Sequence, residues 1–412
     1  MATDHQHGAD QLMNRFIVVG AGPAGLSLSL QLARGGASVC LVEARRDFAR
    51  GLRGDALMPS GLEALARMGL WEDVLALPQR PLQGWQVWLE GRRLFEVAEP
   101  MGSLQGCRLV RQQDLLEYLL AQALLLPGFD WRPGQLVSGL IQRQGRVAGV
   151  RLASGEELEA DLVIACDGRD SSLRQMAGRD LDQLGPPLTL LWLQLPNPAA
   201  PPDATLSSFL TLVGGGAIAS ACLGAGGDLQ LGWLLRPEEP TPQRSASAWA
   251  EAVARLAPPS LAALLRQQGH RLEKPQRLRV QVGAARQWRR PGLLLLGDAA
   301  HPMSPVRAQG INLALRDALV AARELLQVTH SREAGQRQRR LDQAAATIEH
   351  QRKSEVRQLQ RLQLAELRQG HWVGHNAIAR NGLSLAAPLL GPAARQVWMA
   401  RQRPLREGTA WL

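Results

Sequence analysis

The sequence has few cysteines and no paired-cysteine motif. Cys40, Cys107, Cys166 and Cys222 each stand alone in an apolar run, and no CxxC spacing occurs. Zinc ribbons and redox enzymes with a catalytic disulfide need such a spacing, so both classes are excluded. Isolated cysteines in apolar runs are typical of small buried side chains. We therefore predict buried, unpaired thiols and no metal site.

Long apolar runs are also missing. No stretch reaches the roughly 18 uncharged apolar residues that a membrane-spanning helix needs. The polar N-terminal residues lack the basic and then apolar pattern of a secretory signal. We therefore predict a cytoplasmic protein and leave open a peripheral contact with the inner face of a membrane. The oligomeric state does not follow from the sequence.

Lysine is scarce although the chain is strongly basic. The net charge is +10, yet only Lys274 and Lys353 are lysines, and the arginines are spread along the chain between apolar positions. A nucleic-acid-binding surface concentrates basic side chains on one face. We therefore predict no nucleic-acid partner. A 412-residue chain with 45% hydrophobic residues is typical of a globular protein with more than one lobe.

A glycine motif near the start carries the first functional signal. The apolar run Phe16–Val19 meets Gly20, Gly22 and Gly25 in the pattern GxGxxG, and a helical stretch follows. Such glycines let backbone N–H groups approach a pyrophosphate at a helix N-terminus. A second apolar run ends at Glu43, where a carboxylate binds ribose hydroxyls. This βαβ unit predicts a dinucleotide site but leaves FAD and NAD(P) open, since Arg45 and Arg46 would suit a 2′-phosphate.

Two later segments decide between these cofactors. A predicted strand leads into Asp167 and Gly168, and another, Leu293–Leu296, leads into Gly297 and Asp298. Behind the glycine motif and in this order, the segments resemble the flavoprotein aromatic hydroxylases related to para-hydroxybenzoate hydroxylase and the ubiquinone-pathway hydroxylases. The resemblance covers residues 16 to 330.

The resemblance and the element pattern together imply an α/β fold. A Rossmann-like FAD-binding domain is expected at residues 1–80, 105–180 and 275–330. It is interleaved with an antiparallel β-sheet substrate domain at residues 81–104 and 181–274, and C-terminal helices fill residues 331–412. One apolar stripe predicts a long helix over residues 331–369, and it is formed by Leu341, Ile348, Val356, Leu359 and Leu362.

The resemblance also implies residue roles, with FAD as cofactor and NAD(P)H as reductant. The residues expected to bind FAD are Gly20, Gly22, Ala24, Gly25, Glu43, Ala44, Arg45, Arg53, Arg111, Asp167, Gly168, Gly297, Asp298, Gly310, Ile311 and Asn312. The residues expected beside the reacting ring are Arg53, Pro305 and Arg307. A surface role for Arg111 and a simple loop role for Arg53 stay open, and His301 is expected to be structural.

Arg307 departs from the family pattern, which usually has glycine at this place. A bulky cation there would restrict flavin movement, bind an anionic group or point to solvent. If its charge lies near the flavin, it should raise the reduction potential by favouring the anionic reduced form.

The reaction implied by the resemblance is ring hydroxylation with O2 through a flavin C4a-hydroperoxide. The expected substrate is a small aromatic or quinone-like molecule, and a lipophilic one, because the predicted strands over residues 188–235 are rich in Leu, Trp, Ala and Val and Tyr118 is the one tyrosine. Two alternatives stay open. One is an FAD-dependent reductase or dehydrogenase of an isoprenoid or quinone, and the other is a non-catalytic, flavin-stabilised assembly subunit, which the long arginine-rich helix would suit.

Overall fold

A computed structural model of the chain describes residues 15–49, 55–102, 105–198, 204–236, 239–328 and 334–410. Within these ranges the strands, in chain order, are β1 Arg15–Val19, β2 Ser38–Glu43, β3 Ala56–Leu57, β4 Gln79–Pro81, β5 Gly84–Leu89, β6 Arg92–Ala98, β7 Arg108–Val110, β8 Phe129–Pro133, β9 Val137–Arg143, β10 Arg146–Leu152, β11 Glu157–Glu159, β12 Leu162–Ala165, β13 Leu181–Gln183, β14 Leu188–Leu195, β15 Ser208–Gly214, β16 Ala217–Leu223, β17 Leu229–Leu235, β18 Gln276–Val280, β19 Gly283–Ala285, β20 Arg289–Arg290 and β21 Leu293–Leu295. The α-helices are α1 Pro23–Arg34, α2 Pro59–Arg67, α3 Trp71–Ala76, α4 Gln112–Leu124, α5 Ser172–Met176, α6 Ala246–Ala254, α7 Pro259–Gln268, α8 Gln309–Leu326, α9 Ala334–His375, α10 Ala377–Leu385 and α11 Ala387–Glu407.

The first sheet places the sequence motifs at one edge. Its order is β20-β21-β12-β1-β2-β8, and the strands from β21 to β8 run parallel. Strands β1, β12 and β21 are continuous apolar runs buried on both faces, as parallel strands covered by helices should be. Because carboxyl ends of parallel strands meet at the same edge, the glycine motif, Glu43, Asp167 and Gly297 all lie along that edge.

The second sheet is larger and has a polar-apolar alternation. Its order is β18-β14-β17-β16-β15-β5-β6, and all neighbours pair antiparallel except β5 and β15. One face, with Leu191 and Leu193, packs against Trp249 of α6 and Leu261 of α7. The opposite face carries Trp192 and its neighbours toward a cavity. The strands predicted over residues 188–235 are therefore confirmed.

Two expected boundaries differ from the structure. Strand β18 belongs to the second sheet, since Leu188 pairs with Val280, although the predicted domain boundary at residue 275 assigns it to the cofactor domain. The sequence over residues 146–165, with a turn pattern at Ala153, Ser154 and Gly155, predicts one hairpin. Only β10 and β11 pair in this way, and Leu162–Ala165 becomes the central parallel strand β12.

The long charged helix α9 is packed on the core. Its residues Leu341, Ile348, Val356 and Leu359 are at most 1% exposed, which confirms the predicted stripe. The four cysteines are buried and unpaired, as expected. None of the described helices is long and apolar enough to cross a membrane.

A buried ion network ties α8, α9 and the C-terminal end to the loop after β21. The Asp317 carboxylate accepts from the backbone N–H of Gly297 at 3.1 Å and from Arg352 at 2.7 Å, and it contacts His301 Nε2 at 2.6 Å. Glu355 accepts from Arg316 at 2.8 Å and also pairs with Arg352. The side chains of all five are at most 1% exposed, so each charge depends on its partners.

We predict that Glu355→Gln destabilises the protein strongly. It leaves the buried Arg316 and Arg352 short of negative charge, a change that costs about 3–5 kcal/mol at buried pairs. Thermal unfolding measures the loss. The matched control is Glu159→Gln, which breaks a pair with Arg143 whose side chains are 62% and 56% exposed, and it should cost less than about 1 kcal/mol. Equal melting temperatures for the two variants would contradict the role of the network.

Candidate active site

The turn between β1 and α1 is shaped by two glycines. Gly20 has a φ of 102°, and a Cβ there would lie 2.4 Å from the carbonyl oxygen of Cys166. A Cβ on Gly25 would lie 1.9 Å from the carbonyl oxygen of Gly20. Helix α1 therefore begins in direct contact with the strand edge, which only glycine permits.

Gly22 leaves the space for a ligand. A Cβ built on Gly22 meets nothing within 4 Å, and Gly22 and Ala24 line a cavity. Helix α1 has no side-chain cap and no acidic residue in its first turn. Its first N–H groups thus have no partner within the helix and favour an anion. This arrangement fits the pyrophosphate of FAD.

Glu43 is held in place at the end of β2. Its carboxylate accepts the backbone N–H of Ala21 at 2.7 Å and that of Arg45 at 3.0 Å, and the residue is 7% exposed. Glu43, Ala44 and Arg45 all line the cavity. Because Glu43 lies at the end of β2 beside the glycine turn, its carboxylate is placed where the ribose of a dinucleotide would lie.

Two aspartates line the cavity from neighbouring strand ends, and their carboxylates have different partners. Asp167 accepts from the hydroxyls of Ser171 and Ser172 and from the backbone N–H of Leu173 at 3.1 Å, so its carboxylate caps α5. The side chain of Asp298 is 34% exposed, and its carboxylate lies 3.7 Å from Arg169 Nε. Both carboxylates line the cavity, and the partly exposed Asp298 side chain lies where a cofactor hydroxyl would meet it. Gly168, with a φ of 90°, and Gly297 complete these turns.

The start of α8 presents backbone to the cavity. Gly310 and Ile311 line it, and the helix has no side-chain cap. The Asn312 amide is fully buried and bonds to the backbone of Met58 at 2.8 Å, Ala56 at 3.1 Å and Ala308 at 2.7 Å. Any contact of Asn312 with FAD would thus come from its backbone, because its side chain joins two chain segments.

Arg307 does not point to solvent. Its side chain is 7% exposed, and Nε donates to Glu366 of α9 at 2.9 Å. The guanidinium lies 5.2 Å from the ring centre of Trp85 and 5.1 Å from that of Trp398. Glu366 balances its charge, which removes the reason to expect a raised flavin potential. Arg307 and Pro305 line the cavity, and the φ of 61° at Arg307 explains why glycine suits this place.

Arg111 and Arg53 are two further arginines that the sequence predicts to bind FAD. The Arg111 side chain is 55% exposed and pairs with Asp114 at 2.9 Å. It is not among the described residues that line the cavity, where its neighbour Gln112 lies instead, so the geometry agrees with the surface role. Arg53 lies outside the described residues. His301 is structural as expected, since its ring packs on Trp288 and contacts Asp317.

Sequence reasoning missed Asp55. This carboxylate is 9% exposed, lines the cavity, and accepts from Gln230 Nε2 of β17 at 2.9 Å. Burial raises the pKa of Asp55 to about 6, although hydrogen bonds from Gln230 and the Gln112 backbone lower it. The sequence offers one signal, an aspartate directly before the apolar run of β3, but its partner Gln230 is far away in the chain.

One continuous cavity is lined by the glycine turn, Glu43, Asp55, Asp167 and Asp298. It has a volume of about 1570 Å³ and runs from the glycine turn past the start of α8 to the open face of the second sheet. Helices α9, α10 and α11 close its far side with residues that include Val373, Leu383 and Trp398. Among the described residues no cluster of His, Cys, Asp or Glu is arranged to hold a metal ion.

Comparisons with known proteins agree with this geometry. The profile of the family described as "FAD binding domain" matches residues 14–359. The chain belongs to this family. It is 34% identical over 368 residues to 6-methylpretetramide 4-monooxygenase of Streptomyces rimosus, covering 87% of this chain and 85% of the relative. It is 29% identical to 3-demethoxyubiquinol 3-hydroxylase of Escherichia coli, covering 73% of this chain and 76% of the relative.

Solved structures share the fold. PqsL of P. aeruginosa in complex with 2-aminobenzoylacetate superposes with a TM-score of 0.74 at 19% identity, covering 90% of this chain and 98% of PqsL. The p-nitrophenol 4-monooxygenase PnpA of Pseudomonas putida gives a TM-score of 0.72 at 17% identity, covering 97% and 99% of the two chains.

The chain is thus an FAD-dependent monooxygenase, and NAD(P)H is its reductant. Bound FAD supplies the redox chemistry with O2, while the protein supplies binding, orientation and exclusion of water. The alternative of an isoprenoid or quinone reductase is not favoured, because the relatives named above are a monooxygenase and a hydroxylase. The same comparison disfavours a non-catalytic subunit.

We predict that Asp298→Ala weakens FAD binding. Removing a carboxylate that accepts from the cofactor should cost about 1.5–3 kcal/mol, or roughly 10- to 150-fold in Kd. Titration of the apoprotein with FAD, followed by flavin fluorescence, measures this. Asp182→Ala removes an exposed carboxylate paired with Arg286 away from the cavity and serves as the control. An unchanged Kd for Asp298→Ala would mean that its carboxylate does not contact the cofactor.

Proposed function

We propose that this monooxygenase hydroxylates a lipophilic aromatic molecule, such as a prenylated phenol or quinol. The single observation that carries the proposal is the apolar chamber that continues from the cofactor groove. The second sheet forms one wall of it, with Leu190, Trp192, Val213, Ile218 and Leu234. A ring bound there would lose its water and pack on aliphatic and aromatic side chains.

The opposite wall comes from the C-terminal helices. Helix α9 contributes Val373, and α10 and α11 contribute Leu383, Leu390 and Trp398. Pockets for single small ligands measure about 300–1,000 Å³. A cavity of about 1570 Å³ therefore supports FAD together with a bulky substrate better than FAD with a small benzoate.

Charged groups in the chamber do not form an obvious carboxylate-binding site. Arg307 is paired with Glu366, and Arg401 is exposed and donates to the neutral amide of Gln369. Tyr118, the one tyrosine, is not among the described residues that line the cavity, and no histidine or lysine is among them either. A small hydroxybenzoate would need a cation for its carboxylate. Two relatives are named for 6-methylpretetramide and 3-demethoxyubiquinol, and these names are compatible with a larger ring substrate.

We predict that a prenylated hydroquinone stimulates NADPH oxidation in air and yields a product with one added oxygen. 4-Hydroxybenzoate should do so at least about tenfold less efficiently in kcat/KM, because its carboxylate stays unpaired in the chamber. Mass spectrometry of the products, together with the measured consumption of NADPH, checks this prediction. Tight coupling with 4-hydroxybenzoate and none with the prenylated ring would overturn the proposal.

A second part of the proposal concerns where such substrates are collected. We infer that the C-terminal helices rest on an anionic membrane surface. The exposed fractions there are 88% for Ile378, 85% for Leu389 and 69% for Leu385. Residues 371–406 contain no Asp or Glu. Exposed Arg395 lies on α11 and exposed Arg92 lies beside it, and apolar side chains beside arginines favour anionic lipid.

Continuity with the chamber supports this orientation. Leu390 and Val397 are 44% and 52% exposed, and both also line the cavity. A lipophilic ring could therefore pass from the lipid surface to the chamber along one apolar path. A second copy of the chain is the other occupant that such a surface could take.

We predict that the double variant Ile378→Ser, Leu389→Ser binds vesicles with anionic lipid at least about tenfold more weakly. Each apolar side chain contributes about 1.5–3 kcal/mol when it leaves water fully. Cosedimentation with anionic and neutral vesicles measures binding, which should favour the anionic ones. Leu125→Ser is the control, because Leu125 is 77% exposed on α4's C-terminal end, outside the C-terminal helices. The proposed membrane contact would be contradicted if the wild type binds no vesicles and instead forms dimers, seen in light scattering, that the double variant abolishes.

A further inference from the structure

The chamber contains few groups that could take a proton. The titratable residues that line its substrate side are Asp55, Cys222, Arg307, Glu366 and Arg401. Glu366 is occupied by Arg307 and by Gln402 Nε2 at 3.0 Å. Burial raises the pKa of the Cys222 thiol to about 12, so it stays neutral. Asp55 is the remaining carboxylate there.

The main chain fixes Asp55 at the junction of the two lobes. Its carbonyl oxygen accepts from the backbone N–H of Val110 at 2.8 Å, and the next residue, Ala56, begins β3. Its Oδ2 accepts from Gln230 Nε2 at 2.9 Å, and Gln230 lies on β17 of the second sheet. The carboxylate thus lies where the cofactor groove opens into the chamber, directly before β3 and bonded across to β17.

The electrostatic surroundings leave the carboxylate able to exchange a proton. The ionisable groups that face it are Arg111, which precedes α4, Asp114 of α4 and Cys222 of β16. None of the described residues forms an ion pair with Asp55. Burial raises the pKa of Asp55 to about 6, and the effects of Arg111 and Asp114 oppose each other. A base with a pKa just below the working pH is ionised and still accepts a proton readily.

We propose that Asp55 is a catalytic residue that accepts the proton of the substrate's ring hydroxyl as the ring is hydroxylated. This inference rests on the proposed function, because it needs an aromatic substrate with a hydroxyl group. The O–H bond breaks, its electron pair stays on the ring oxygen, and the proton moves to a carboxylate oxygen of Asp55. The added negative charge makes the ring a better nucleophile. The proton returns to water when product leaves, so no further reactant is needed.

Gln230 is a positioning residue in this account. Its amide donates to the ionised carboxylate and therefore lowers the pKa of Asp55. It also holds Oδ2 toward the second sheet, and the carboxylate keeps acceptor sites for the substrate hydroxyl beyond the bonds from Gln230 and the Gln112 backbone. Removing the amide should shift the acid limb of the rate profile to higher pH and leave the proton acceptor in place.

The test compares wild type and Asp55→Asn, both as FAD-loaded full chains, on two probes. One probe is a prenylated phenol, and the other is its ring-nitrated analogue, whose hydroxyl is already ionised near neutral pH. Asn keeps the shape and can pair with Gln230 but cannot take a proton. For the phenol we expect kcat to fall by about 10²- to 10⁴-fold with little change in KM. For the nitrated probe the ratio of variant to wild type should stay within a few fold.

The pH profile supplies a second readout. In wild type, kcat/KM for the phenol should fall below the pKa of Asp55, as the carboxylate becomes protonated, and Asp55→Asn should lose this acid limb. Gln230→Leu should move the limb to higher pH, which also keeps the test valid if Asp55→Asn fails to load FAD. The role of Asp55 would be overturned if Asp55→Asn lost the same factor in kcat on both probes. It would also be overturned if the acid limb of kcat/KM stayed at its wild-type pH in both Asp55→Asn and Gln230→Leu. No oxygenated product from wild type with either probe would instead contradict the proposed function, and this inference with it.

Discussion

The arrangement of the cavity depends on the contacts that the buried Asp317 carboxylate makes. It receives the Gly297 N–H from the loop after β21, His301 from the same loop, and Arg352 from α9. Burial alone would raise the pKa of Asp317, but its electrostatic and hydrogen-bond interactions with His301 and Arg352 outweigh burial and hold the pKa at about 2. The carboxylate therefore stays ionised at physiological pH. Its contacts hold the loop after β21, α8 and α9 together.

This constraint lets one cavity have two chemically different halves. At the parallel-sheet edge, free backbone N–H groups, Glu43 and Asp298 suit a charged dinucleotide. On the other side, the second sheet and helices α9–α11 offer mainly apolar side chains. The Arg307–Glu366 pair between Trp85 and Trp398 joins the flavin-side loop to both the sheet and the C-terminal helices. The cofactor half fits FAD, and the proposed substrate would lie in the apolar half.

The local parts of this architecture could be predicted from the sequence, and the contacts between distant segments could not. The glycine turn, Glu43 and the stripe on α9 follow from spacing alone, because each depends on neighbours within one or two elements. Arg352 and Glu355 look like surface charges on a charged helix, yet they are fully buried, because their partners Asp317 and Arg316 lie on another helix. Likewise Asp55 gains its raised pKa from burial against β17, and Arg307 is neutralised by Glu366, 59 residues away.

The fate of molecular oxygen tests the central claim most directly, that this fold positions an aromatic ring beside FAD for oxygenation. The FAD-loaded protein is given NADPH, a prenylated hydroquinone and oxygen gas labelled with a heavy isotope. The account predicts one labelled oxygen atom in the product, consumption of NADPH that substrate stimulates, and no product under argon. Substrate-dependent NADPH consumption under argon, or a product that carries no label, would contradict it.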